Sequence, residues 1–461
     1  MVGESGAHRT PHKQVLALTS RKARVYIGLV KWRNQLLALF CLIAFAAFGV
    51  FYFQNWVVQK PFGIILFVGE GLTPERLTAA RIYSGGADAQ LAIDSLSYTA
   101  LLRNYSADFA TPDQAAAATA LATGVKVNNG VFGRATSGKV LTNILELARE
   151  SDRTTGLVTN ATLTAPTAAA FYAHGTDPAD TEALALELVE DARPDLVLGG
   201  GSAEFLPQAK GGRRSDDRDL LLEARRAGYD LVRTRAELDA MPRWRRPKLL
   251  GLFASGDLAF ADDLGAHTVQ PSLADMVRRG IELLQFNPGG YLLVVDVGLT
   301  RTAAQQNNGE RTLLETLELD RAVAVALRYA GTRSTIIVCG DVAIGGLSLN
   351  GFPFRQDSGV AVLGVNSTGD PWLTWATGPN GVASYGASRV ESGTGSSPPA
   401  SPERPPQPSP TAEIVEPAAV FAETALNNAS DVVVYAHGLG AGTLHGTLEN
   451  TAVFELMRDN L

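Results

Sequence analysis

An α/β sandwich with a central, mainly parallel sheet flanked by helices, preceded by one N-terminal transmembrane helix, is the fold this sequence predicts. Short continuous apolar runs recur along the chain, and helical patterns separate them. One long uncharged run also lies beside a basic cluster near the N-terminus. With 461 residues, 46% hydrophobic and 19% charged, there is material for one large domain or two modest ones.

Gly63–Val68 is the first such run, and it ends in Gly69-Glu70-Gly71. This pattern reads as a buried parallel strand delivering a residue into a glycine-lined loop. Similar runs are Thr155–Thr159, Leu196–Leu198, Leu249–Phe253, Tyr291–Val295, Thr335–Val338 and Val432–Tyr435. Helical patterns at Thr181–Ala192, Ser272–Leu284 and Arg311–Tyr329 lie between them. Ligands of such sheets bind at the carboxyl ends of strands, so residues just past the runs matter most. Gly199-Gly200-Gly201 reads as a close-packed turn rather than a phosphate cradle.

Up to Gln35 there are seven basic residues (Arg9, Lys13, Arg21, Lys22, Arg24, Lys31 and Arg33) against one acid, Glu4. Leu36–Phe53 carries no charge, and Phe51, Tyr52, Phe53 and Trp56 resemble an interfacial aromatic belt. The expected organisation is a cytoplasmic basic leader over 1–35, a transmembrane anchor over 36–58 and an extracytoplasmic domain over 61–461. The positive-inside rule then gives a single-pass protein of the inner membrane with its large domain periplasmic. A cleaved signal peptide is the alternative, since Ala44-Phe45-Ala46 has a small-x-small pattern, but cleavage there would bisect the apolar run.

The 40 Lys+Arg against 47 Asp+Glu give a formal charge of −7, with no clustered basic face for nucleic acid. Cys41 and Cys339 are the only cysteines, which excludes a disulfide framework. Residues 386–412, rich in Ser, Pro and Gly, read as a disordered insertion within the domain.

Several stretches together resemble the alkaline phosphatase family. They are Phe67-Val68-Gly69-Glu70-Gly71, Asp113–Ala120 with Thr123-Gly124-Val125-Lys126, and Thr164–His174. Leu198–Gly201, Pro271-Ser272-Leu273 and Glu315–Asp320 continue the order. Each motif is weak alone, and their collinearity across 61–461 carries the resemblance. It implies that family's fold and chemistry: hydrolysis of phosphomonoesters by a serine at a helix N-terminus, with two zinc ions and usually a magnesium. A serine hydroxyl is a poor nucleophile until a metal lowers its pKa, and an arginine clamps the phosphate bidentately.

Carried over residue by residue, the resemblance implies a dismantled site. The nucleophile position after Asp113 holds Gln114, whose carboxamide cannot form a phosphoryl-enzyme. The zinc site shared with the nucleophile would use Glu70, Asp341 and position 342, which is Val342. The other zinc site maps to Arg301, Gln305 and Asn427, and the phosphate-clamping arginine to Pro178. The magnesium positions are Glu70, Ala165, Thr167 and Asp296, so oxygen donors for one weak Mg²⁺ or Ca²⁺ remain at Glu70, Thr167 and Asp296. The preferred expectation is no cofactor, with Arg301 neutralising Glu70, Asp296 and Asp341 as an internal ion pair. His174, His267, His437 and His445 are the histidines beyond the anchor, and they are expected to be structural or surface residues rather than zinc ligands.

The function expected from these residues is a catalytically inactive, membrane-anchored binding or scaffolding module. Its expected partners are the membrane, through one helix, and a protein in or at the membrane, with no nucleic acid. A homodimer follows only from the family's habit. The alternative is an active metal-dependent phosphomonoesterase using a non-standard mechanism, such as attack by a metal-bound hydroxide. A third reading gives the main role to the transmembrane helix and basic leader as part of an assembly.

Overall fold

The computed structural model describes residues 31–50, 60–267, 269–351, 353–366, 369–381 and 416–461. The chain divides into two units, Met1–Gln59 and Lys60–Leu461. In the first, Lys31–Val50 forms one helix, long and apolar enough to cross a membrane, whose side chains are exposed. Among the described residues the helix already spans Lys31–Gln35, five residues before the expected anchor. Leader residues 1–30, the aromatic belt at 51–56 and the 386–412 insertion lie outside the described residues.

In the second unit ten strands form one sheet. They are β1 (Gly63–Gly69), β2 (Tyr98–Arg103), β3 (Thr154–Thr162), β4 (Leu196–Gly200), β5 (Asp230–Val232), β6 (Leu249–Leu252), β7 (Tyr291–Val297), β8 (Ser334–Gly340), β9 (Val432–His437) and β10 (Gly446–Glu449). Their order is β10-β2-β9-β8-β1-β7-β3-β4-β6-β5. Every pairing is parallel except those of β9, which runs antiparallel to both β2 and β8. Each apolar run named above falls inside one of these strands or overlaps it.

Alternation along the strands divides the interior in two. Ile64, Leu66 and Val68 of β1 face one apolar layer, together with Leu292 and Val294 of β7. Ile65 and Phe67 face the other, with Leu293, Val295 and Val297. A strand covered on both faces must be apolar at every position, which is why these runs show no polar alternation. The helices Gln114–Thr123, Ile144–Glu150 and Ala452–Asp459 cover the first face, and Leu273–Leu284 and Gly309–Tyr329 cover the second. A smaller apolar cluster, containing Val342, Ile344, Leu373 and Trp375, lies beside a three-stranded sheet of Ser348–Leu349, Leu373–Gly378 and Ala418–Phe421.

Six of the ten residues of the Gln114–Thr123 helix are alanine, so its backbone can approach the sheet closely, and nine of the ten are buried. Asp113 caps its N-terminus by accepting from Ala116 N. Gly124 closes it at φ 72°, where a Cβ would come within 2.4 Å of the Phe454 ring. The glycine triplet is close-packed as expected: a Cβ on Gly200 would lie 2.2 Å from Gly256 O.

Leu66 is wholly buried at the centre of β1. Leu66→Ala is expected to lower unfolding stability by about 2–5 kcal/mol through lost transfer energy and a residual cavity. The shift of the urea midpoint, at unchanged slope, is the measurement.

Candidate functional site

Register places three carboxylates together. Gly69 of β1 pairs with Gly340 of β8, so Glu70 and Asp341 emerge side by side from adjacent strands. On the other flank Val68 pairs with Asp296 of β7. By strand parity all three face the same side as Leu66 and Val294. Glu70 and Asp296 are fully buried, and Asp341 is 1% exposed. Burying ionised carboxylates is costly unless each finds hydrogen bonds or a counter-charge.

The three are satisfied differently. Asp341 accepts from Gly71 N (3.0 Å), Val342 N (2.6 Å) and Thr167 Oγ1 (3.1 Å). Asp296 Oδ2 accepts from Thr159 Oγ1 at 2.7 Å, and Thr159 is its register partner on β3. Glu70 Oε2 lies 3.1 Å from Arg301 Nε, an ion pair whose angle is too poor for a hydrogen bond. Both Glu70 oxygens and Asp296 Oδ1 have no hydrogen-bond partner. A Cβ on Gly298 would lie 3.1 Å from Glu70 Oε1 and 3.3 Å from Asp296 Oδ2, so the two carboxyls converge over that glycine.

Charge follows from this geometry. Burial raises Glu70 well above the usual carboxylate range; Arg301 opposes the rise, and Asp296 and Asp341 add to it. Burial likewise raises Asp296, against the pull of Thr159 and Arg301, and it raises Asp341 against its backbone donors. Arg301 is held above its ordinary value, chiefly by Glu70. The expected internal ion pair is therefore present but narrower than the sequence suggested. Among the described residues Arg301 reaches ion-pair distance of Glu70 alone, while Asp296 and Asp341 rely on hydroxyl and backbone donors.

A second cluster gathers at the start of the alanine-rich helix. Asp113 receives Ala116 N at 2.8 Å and Gly130 N at 2.6 Å, so its carboxylate serves as a cap. Gln114 Nε2 donates to Asn427 Oδ1 at 3.1 Å. Asn427 Nδ2 donates to Pro112 O at 3.1 Å and more distantly to Gln114 Oε1, at 3.4 Å. The two-residue strand Asn427–Asn428 pairs with Ala343–Ile344, two residues beyond Asp341, and this pairing delivers Asn427. Val342 is buried in the smaller apolar cluster. Gln305 is half-buried; its carbonyl accepts from Ala425 N, and its side chain has no described partner. Pro178 lies half-buried in the loop before the Thr181–Glu187 helix.

Arg76 was not anticipated. It sits in the first turn of the Pro74–Gly85 helix, 1% exposed, with Nη1 donating to Glu70 O at 2.8 Å. Its position on one helical stripe with Ala80 and Tyr83 was the available signal. Thr159 and Thr300 were also missed; Thr300 Oγ1 donates to Glu70 O at 2.7 Å. Such short polar side chains leave no pattern in a sequence.

The histidines stand apart. His174 lies between Glu146 (3.3 Å) and Glu187 (3.4 Å), whose hydrogen bonds raise it to about 9. His437 ends β9, exposed, with Nδ1 3.0 Å from Ser97 Oγ. Among the described residues no group of three or more His, Cys, Asp or Glu side chains is arranged to hold a metal. The zinc ions implied by the resemblance do not fit these residues. Beside the carboxylates Glu70 and Asp341 their positions hold a guanidinium, two carboxamides and a valine, and Arg301 already contacts Glu70. For one hard cation, the unpartnered oxygens of Glu70 and Asp296 are suitable donors, whereas the Thr167 hydroxyl is directed to Asp341.

Residues 63–461 match the alkaline phosphatase family, and the chain belongs to that family. It is 33% identical over 323 residues to the tissue-nonspecific alkaline phosphatase of Gallus gallus, covering 60% of this chain and 62% of that one. It is 32% identical over 339 residues to alkaline phosphatase H of Pseudomonas aeruginosa, covering 63% and 71%. The chain thus spans about three fifths of the length of the vertebrate relatives it matches. Among solved structures, Thermus thermophilus alkaline phosphatase superposes with a TM-score of 0.67 at 26% identity, covering 87% of this chain and 92% of that one. The enzyme from the Antarctic bacterium TAB5 gives the same TM-score at 18% identity, over 87% and 98%, and supports the fold alone.

Raised carboxyl pKa values mean stability that is present below the unfolded value, about 4, and is lost as pH rises through the folded value, about 7 for Asp296. Arg301 limits that loss. Arg301→Ala is therefore expected to cost about 3–5 kcal/mol above pH 8 and much less near pH 5, read by urea titration across pH. His174 behaves as a raised base: its contribution is complete below pH 6.5 and disappears through about 9. The stability deficit of His174→Gln should accordingly be largest near pH 6 and vanish above pH 9.

Proposed function

We propose that this chain is a catalytically inactive alkaline-phosphatase-like protein that acts as a binding or scaffolding module, held at the inner membrane by its N-terminal helix with the large domain periplasmic. The observation that carries the reading is the pairing of Gln114 with Asn427. Both fall on positions that the resemblance assigns to reaction chemistry, nucleophile and zinc ligand, and here they satisfy each other as two neutral amides. The Arg301–Glu70 ion pair supports it, because a guanidinium stands against the carboxylate that would otherwise bind a cation. Pro178 adds no donor where a phosphate clamp would be needed. A membrane protein partner follows from the anchor and from a domain that retains the family fold without its reactive groups.

The second reading is a metal-dependent phosphomonoesterase, as the matched relatives are named. It is favoured by the unpartnered Glu70 and Asp296 oxygens, donors that a magnesium ion would accept once Arg301 withdrew. When bound, such an ion would supply Lewis-acid polarisation of a phosphoryl oxygen. Glu70 and Asp296 would hold it, and Arg301 would be left to face the anionic substrate.

Metal analysis of the purified protein, with a phosphomonoesterase assay in added Zn²⁺ and Mg²⁺, separates the two. The expected result is no stoichiometric metal and no turnover above a heat-denatured control. Gln114→Ser should restore nothing, since the metal donors would still be missing. Stoichiometric metal together with turnover abolished in Glu70→Ala would establish the enzyme instead.

A further inference from the structure

Arg76 is a buried cation without a counter-ion. Other deeply buried arginines are provided for: Arg214 pairs with Asp216, Arg279 pairs with Glu282 at its Nη1, and Arg153 donates to the carbonyls of Phe62 and Asn460. Arg76 has one carbonyl acceptor, Glu70 O, and its Nε has no partner. No carboxylate among the described residues lies within 4.0 Å of its guanidinium; Asp341 acts on it only at longer range. Burial pushes Arg76 down to about 10, which still leaves it cationic at neutral pH. A guanidinium left so short of acceptors is costly unless a ligand completes it.

Arg76 is one of the residues lining a cavity of about 210 Å³, together with Thr73, Gly346, Ser348, Asn428 and Ser430. Gly71, also in the lining, has φ 78°, and a Cβ there would strike Arg76 Nη1 at 2.5 Å; glycine is what lets the charged group sit at this wall. Half-buried Asn428 and exposed Ser430 line the same space. Asn428 Oδ1 accepts from Ser430 N, but neither Asn428 Nδ2 nor Ser430 Oγ has a described partner. A Cβ on Gly346 would lie 3.5 Å from Asn428 Nδ2, which places that amide at the cavity wall. The 12-residue Pro74–Gly85 helix begins here and adds its positive dipole end. Glu75, the one acidic residue of the lining, is exposed.

We propose that this cavity binds a small oxyanion through the Arg76 guanidinium, the Asn428 carboxamide and the Ser430 hydroxyl. The volume suits one phosphate-sized group with a few waters, each taking about 30 Å³. None of these donors falls on a nucleophile, clamp or metal position, so the inference is independent of whether the chain is an enzyme.

The test is calorimetric titration and thermal unfolding of the full-length protein in detergent, with inorganic phosphate against chloride at matched ionic strength. Saturable phosphate binding and a raised Tm are expected. Asn428→Ala combined with Ser430→Ala should weaken binding by about tenfold or more, whereas Arg301→Lys should leave it within about twofold. Arg76→Lys, which keeps the charge but loses the fork, should weaken it as well; if that variant does not fold, the Asn428 and Ser430 changes carry the test. Glycerol phosphate in place of phosphate identifies the source: tighter binding means a monoester headgroup, weaker binding the free anion, and both support the site. No saturable binding up to about 10 mM phosphate overturns the proposal. So does binding that survives the Asn428/Ser430 change but is lost in Arg301→Lys, which would put the anion at the carboxylate cluster.

Discussion

The contact between Arg301 and Glu70 is the interaction on which the centre of this molecule depends. Parallel strands β8, β1 and β7 end together, and their register forces Glu70, Asp341 and Asp296 into one buried volume. The topology does not allow the three charges to be separated. Asp341 draws on backbone N–H groups, Asp296 on a threonine, and both remain raised because burial outweighs those donors. Neither Glu70 oxygen has a donor among the described residues, and the Arg301 guanidinium lies 3.1 Å from Oε2. The Arg301 side chain supplies positive charge beside it.

That arrangement links the cluster to the second feature of the site. In a metal-centred version of the fold, carboxylates gather to bind ions that then activate a nucleophile. In this chain the same strand ends face a fixed guanidinium, and the helix N-terminus carries a carboxamide paired with a second carboxamide. Each substitution makes the others tolerable. On the inactive reading proposed above, a guanidinium inside would repel a bound cation, and without a cation a serine would have nothing to activate it. Arg76 extends the pattern, adding a second internal positive charge behind the Glu70 main chain.

Most of the fold was legible in the sequence, because strands buried on both faces read as unbroken apolar runs. The Tyr291–Val295 and Thr335–Val338 runs fall inside β7 and β8, which extend two and three residues beyond them. The Val432–Tyr435 run was equally plain, yet its antiparallel direction was not, since nothing local marks strand polarity. The site was legible only as positions on family motifs. Which carboxylate Arg301 would reach depended on a side-chain path that spacing does not encode. Arg76 escaped notice because an arginine in a first helical turn ordinarily faces solvent.

The sequence by itself determined seven of the ten strands of the large sheet, their burial on both faces and the residue types at their ends. These are local properties, set by side-chain periodicity and backbone preference within a few residues. Only the tertiary structure decided which of those residues meet. Gly71 donates to Asp341 across 270 residues and Gln114 to Asn427 across 313. Contacts at such separations are fixed by strand order and register, and those are settled by packing the whole sheet at once rather than by any segment alone.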